Sequence, residues 1–112
     1  MDYDSFQRIL DAHGISNEPA FKDLSVEIAP IPADENGKRA LGLYFPEDKL
    51  IVIPPELSPN PGAIGESVEL HELGHRFGHY HYNNLTEQFA EDYRQKYQGK
   101  LEYHFHENNV VT

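Results

Sequence analysis

The spacing of apolar side chains divides the first half of the chain into short, differently patterned segments. Phe6, Ile9, Leu10 and His13 keep helical spacing as far as Gly14, a residue suited to a left-handed helix stop, and Asp4 with Gln7 has capping-box spacing. Glu18-Pro19 predicts one further short helical turn. Leu24-Ser25-Val26-Glu27-Ile28 alternates apolar and polar, as a half-buried strand does, and Pro30 and Pro32 end it. Asp34-Glu35-Asn36-Gly37 has the residue types of a turn. Two apolar stretches, Ala40–Phe45 and Lys49–Ile53, flank Pro46-Glu47-Asp48 and predict a hairpin. Four prolines at 54, 55, 59 and 61 then predict an irregular connection.

From Ala63 the period lengthens. Leu70, Leu73 and Phe77, with Ile64 and Val68 one turn earlier, predict a helix over 63–79 that ends at Gly78. Asn84 and Glu87 have capping-box spacing for a second helix, which carries Leu85, Phe89, Tyr93 and Tyr97 and stops at Gly99. Leu101–His106 alternates like a short strand or arm, and Glu107-Asn108-Asn109 reads as frayed. The order is helix, three strands, two helices and a tail. It predicts an α+β fold with a short three-stranded sheet, and residues 1–112 read as a single domain.

Composition narrows the partners. Apolar residues are 38% of 112, enough for one small core and no more. The net charge of −10 argues against nucleic acid and against an anionic membrane surface, both of which need clustered Lys and Arg. The longest apolar run, Leu50–Ile53, is far short of a membrane span, and the start Met1-Asp2-Tyr3-Asp4 carries acids where a signal peptide carries base. A soluble, cytoplasmic monomer is expected. With no cysteine, thiolate catalysis, disulfides and Cys-based metal sites are excluded. Histidine is the abundant chemistry: seven in all, four of them within residues 71–81.

His71-Glu72-Leu73-Gly74-His75 places two histidines one helical turn apart, about 6 Å along the axis, so both imidazoles can reach one Zn²⁺. Glu72 lies beside them, where a carboxylate can take a proton from a water that the metal acidifies. A surface helix with merely solvated histidines would leave this polar face unexplained. An open zinc site needs a third protein ligand. His79 lies about 12 Å from His71 along a straight helix and is discarded. His81 completes a His71–His81 stretch that reads HExxHxxGxxH, with Gly78 breaking the helix to swing it back. Glu87, on the next helix, is the other candidate. Glu91, one turn on, either accepts the free N–H of a ligand histidine or leans on Arg94.

At these residues the chain resembles the zincin metallopeptidases. His71–His81 is similar to the metzincin pattern, but that branch also has a methionine turn, and Met1 is the only methionine. Glu87-Gln88-Phe89-Ala90-Glu91 resembles the glutamate helix of the gluzincins, and the short spacing resembles the minigluzincins. Gly42-Leu43-Tyr44, Ile51-Val52-Ile53 and His-Glu-Leu-Gly-His together resemble the ImmA/IrrE-type metallopeptidases, which cleave repressors. The missing methionine favours Glu87 over His81 as third ligand; both stay open.

The resemblance implies a zinc-dependent peptidase acting on a peptide or protein, with Glu72 as general base, His71 and His75 as ligands, and the strand Lys49–Ile53 along the substrate cleft. Tyr80, Tyr82, Tyr93, His104 and His106 are candidate oxyanion donors. Two other readings stand beside it: a non-catalytic, zinc-stapled binding domain, and a metzincin-like hydrolase using His81. The tail, with His104 and His106, could also plug the cleft as a latency device.

Overall fold

The computed structural model describes residues 4–57, 62–98 and 109–110. Helix α1 (Asp4–Ala12) starts the chain. It ends as predicted, with Gly14 left-handed at φ +69°. The Gly14 N–H donates to Asp11 O (3.3 Å) and the Ile15 N–H to Leu10 O (2.9 Å), which is the hydrogen-bond pattern of a Schellman stop. Phe6, Ile9 and Leu10 are its buried stripe. Glu18 caps the 3₁₀ turn Pro19–Phe21 by accepting from the Ala20 N–H.

The three-stranded sheet consists of β1 (Ser25–Ile28), β3 (Leu43–Phe45) and β4 (Leu50–Ile53). Its order is β1-β4-β3, with β4 parallel to β1 (Val26 opposite Ile51) and antiparallel to β3 (Tyr44 opposite Ile51). The predicted hairpin is therefore present as β3–β4. Because β4 is the central strand, both of its edges are paired, and the strand expected along the substrate cleft has no edge open to an extended peptide. Among the described residues no strand pairs the outer edge of β3. The predicted turn at 34–37 is also present: Asp34 Oδ1 accepts the N–H groups of Asn36 and Lys38, and Gly37 has φ +77°. One pairing was not predicted. The residues just after it, β2 (Arg39–Ala40), run parallel to β5 (Asn109–Val110), so Asn109 is not frayed.

Helix α2 (Gly62–Tyr82) runs through Gly78, three residues past its predicted end at 79, and α3 (Glu87–Gln98) returns along it. The core joins α1, the sheet and both helices: Phe6, Phe21, Val26, Ile51, Ile53, Val68, Leu70, Leu73 and Tyr93 form one buried cluster. Helix α2 is central to it, since every residue from 67 to 76 is buried. A helix buried all round carries no amphipathic stripe, and α2 accordingly takes Ser67, Glu69, His71, Glu72, His75 and Arg76 inside with its leucines. Buried polar groups on this scale need partners or a function. Among the described residues no helix is long and apolar enough to cross a membrane.

Candidate metal centre

His71 and His75, one turn apart on α2, present their rings edge to face with centroids 4.9 Å apart. A third donor reaches them because α2 is bare on its neighbouring flank. A Cβ built on Gly74 would stand 2.9 Å from Ala90 Cα and O and from Tyr93 Cβ; one on Gly78 would stand 2.5 Å from Asn84 O and 2.8 Å from the Phe89 ring. The α3 backbone and the turn before it thus lie directly on α2. Gly78, predicted to break the helix, instead admits the returning chain.

The return is made by local polar chemistry. Asn83 is left-handed at φ +51°, and the Asn84 N–H donates to Gly78 O at 3.0 Å. Asn84 Oδ1 accepts from the N–H and hydroxyl of Thr86, and Thr86 Oγ1 accepts the Phe89 N–H at 3.2 Å. Thr86, not Asn84, is therefore the N-cap. Leu85 falls outside the helix, and Glu87 is its first residue.

From there Glu87 Oε2 lies 2.6 Å from His75 Nε2 and 3.4 Å from His71 Nε2. One donor atom from each of the three residues lies within 4.8 Å of the others. His75 Nε2 is buried, and its approach to Glu87 is close without being an aligned hydrogen bond. Two imidazoles and one carboxylate are the donor set of an open zinc site, and the residues fit such an ion. Burial, and secondarily His71, lowers the His75 pKa against the opposing pull of Glu87; the neutral imidazole is the form that ligates.

Glu72 is fully buried, and neither carboxylate oxygen has a hydrogen-bond partner. Burial first, then the charge of Glu87, raises its pKa well above the ordinary 4.5. Gly42, just before β3, makes room for it: a Cβ there would stand 3.0 Å from Glu72 Cγ and 3.1 Å from Oε2. Glu91 meets both of its predicted partners at once. Its Oε1 lies 3.4 Å from His71 Nδ1, while Arg94 donates to Oε1 (2.9 Å) and Oε2 (2.6 Å). Burial acts to raise the Glu91 pKa, but the hydrogen bonds from Arg94 and Gln95 and the Arg94 charge outweigh it, and the net shift is downward.

His81 is not brought to this cluster. With α2 unbroken it lies about 15 Å along the axis from His71, and its Nε2 pairs with Glu18. His79, discarded on spacing, is bound through Nδ1 to the Tyr44 hydroxyl at 2.9 Å. Of the tyrosines singled out in the sequence, Tyr93 is core, while Tyr80 and Tyr82 are exposed at the end of α2. None of them borders the cavity beside the histidines. That cavity, of about 340 Å³, is lined by Leu43, Tyr44, Pro46, His75, Leu85 and Glu87. Tyr44 and Leu85 are the residues sequence reasoning missed; the only signal was the position of Tyr44 in the hairpin. His104, His106 and the tail plug fall outside the described residues.

No protein-family model, no curated protein and no solved structure matches the chain.

Proposed function

We propose that the chain is a zinc-dependent metallopeptidase, with His71, His75 and Glu87 as metal ligands. The observation that carries this reading is the convergence of two buried histidines and the exposed carboxylate of Glu87 within 4.8 Å of one another, with the orphaned carboxyl of Glu72 beside them. A bound Zn²⁺ supplies Lewis acidity, polarising a carbonyl and lowering the pKa of water towards about 7.

The chain's own residues do the rest. Glu72 accepts the proton of the attacking water and returns it to the departing amine nitrogen. Its burial raises its affinity for that proton, as a proton carrier requires. Glu91 receives the Nδ1–H of His71, which directs Nε2 to the metal. An extended peptide pairs with the open edge of β3, and the cavity walled by Leu43, Pro46 and Leu85 receives an apolar side chain next to the scissile bond. Apolar walls, rather than the acidic net charge, select the substrate.

The test pairs the Zn²⁺-loaded chain with Glu72→Gln on a mixed peptide library. Hydrolysis by the parent, with a loss of about 10²–10⁴-fold in the variant at unchanged zinc content, is expected. A parent that binds no zinc, or a variant with full activity, removes the reading. Retained zinc with no hydrolysis and a fourth protein ligand would establish the non-catalytic binding domain.

A further inference from the structure

Arg94 is a guanidinium only 3% exposed, on a short helix whose other buried residues are Ala90 and Tyr93. Its contacts form an ordered set. The Nε donates to Glu91 Oε1 and Nη2 to Glu91 Oε2, so that the carboxylate is gripped at both oxygens. The Nη1 donates to Gln98 Oε1 at 3.3 Å, and Gln98 Oε1 accepts from the Ser67 hydroxyl. Ser67 and His71 are one turn apart on α2, while Glu91, Arg94 and Gln98 follow helical spacing on α3. The links Ser67–Gln98 and His71–Glu91 are thus two rungs between the helices, and Arg94 joins them.

The two carboxylates of the site meet different nitrogens of His71: Glu87 faces Nε2 and Glu91 faces Nδ1, each at 3.4 Å. Glu91 is one turn beyond Glu87 on α3 and half-exposed, and a glutamate has three free torsions. Left to itself, such a carboxylate can swing to solvent or to the metal side of the ring. A two-pronged guanidinium grip removes that freedom, because a planar fork fixes both oxygens at once where a single ammonium fixes only one.

We infer that Arg94 is the positioning residue of the centre: by gripping Glu91 it keeps that carboxylate on Nδ1 of His71, and so holds the ring with Nε2 towards His75 and Glu87. The inference rests on the metal reading above and concerns His71, the histidine that Glu91 meets. Partners of this kind, one step removed from the metal, are worth about 10–100-fold in metal affinity.

The experiment uses the full chain, Arg94→Met and Arg94→Lys, titrated with Zn²⁺ and, after loading with ¹¹³Cd²⁺, examined by nitrogen-resolved NMR of the histidine rings. In the parent, a slowly exchanging Nδ1–H is expected on His71, with metal coupling at Nε2. In Arg94→Met, about a 10–100-fold weaker Zn²⁺ affinity is expected, with the His71 Nδ1–H lost to exchange and the His75 ring signals in place. A general loosening of the fold would move both histidines together, which would overturn the inference. So would an Arg94→Met chain with parental affinity and an unchanged His71 Nδ1–H. If Arg94→Met does not fold, Arg94→Lys decides. It keeps a buried cation but only one prong, and is expected to exchange the His71 proton faster than the parent; parental exchange overturns the inference. A parent that binds neither ion overturns the peptidase reading itself, and is distinguishable because it fails before any variant is compared.

Discussion

Helix α2 carries two groups of histidines within residues 71–81, and they are put to different use. His71 and His75 share the carboxylate of Glu87, and their rings touch edge to face. His79 and His81 diverge, one to the Tyr44 hydroxyl and the other to Glu18. The residue type and the helix are the same. What differs is the opposite surface: α3 begins beside the first pair, whereas the second is flanked by β3 and by the 3₁₀ turn at Pro19. A histidine-rich stretch becomes a candidate metal centre only where a third donor is delivered to it.

Breaking that delivery should separate the two groups. The largest effect is expected for His75→Ala against His81→Ala, compared by Zn²⁺ calorimetry. Removing one of three ligands should weaken binding by more than about 10²-fold, in line with the several kcal/mol each ligand shares in a tight zinc site. His81→Ala should bind like the parent; an equal loss in both would return His81 to the metal. Next in size is Gly74→Val, which leaves every donor in place but sets a side chain against the α3 backbone. Overpacking there should destabilise the fold by about 1–3 kcal/mol in denaturant unfolding and weaken Zn²⁺ as Glu87 is moved away. A variant with parental stability would mean that α3 is not seated on Gly74.

The smallest effect concerns Glu72 in the metal-free chain. The folded state binds its proton more tightly than the unfolded state, so its contribution to stability is complete below the ordinary carboxyl value of 4.5 and is lost as pH rises through the folded value. Glu72→Gln has no such loss. In chelator it should match the parent at about pH 4 and exceed it by a margin that grows towards pH 8. Parallel stability-against-pH curves for the two chains would place Glu72 in contact with water.

Much of this was legible in the sequence where the cause is local. Gly14, the Asp34 turn and the 43–53 hairpin are each set by residues within a few positions, and all were read correctly. HExxH fixed the spacing of His71, Glu72 and His75 for the same reason. Most of the misreadings depend on partners that the local pattern does not reveal. Gly78 reads as a stop until Phe89 and Asn84 are known to occupy the space beside it. Asn84 reads as a cap because its own bond to Thr86 is invisible in spacing alone. The strand at 50–53 reads as a cleft edge until β1 covers its other side. Tyr44 reads as strand packing until the helix opposite is known.

The alternation of histidine and glycine along α2 has a consequence of its own. Each glycine follows a histidine by three residues, His71 to Gly74 and His75 to Gly78. Three residues turn a helix by about 300°, so the two glycines form a row about 60° around from the two histidines and parallel to them. One row is donors and the adjacent row is a track on which the partner helix rides. Sliding α3 along that track by one turn, about 5.4 Å, would bring Glu91 where Glu87 stands and leave Nδ1 of His71 without its carboxylate. The glycines permit that slide; Thr86, Asn84 and the Ser67–Gln98 rung oppose it, and so set the register in which the centre has one acidic ligand and one acidic support.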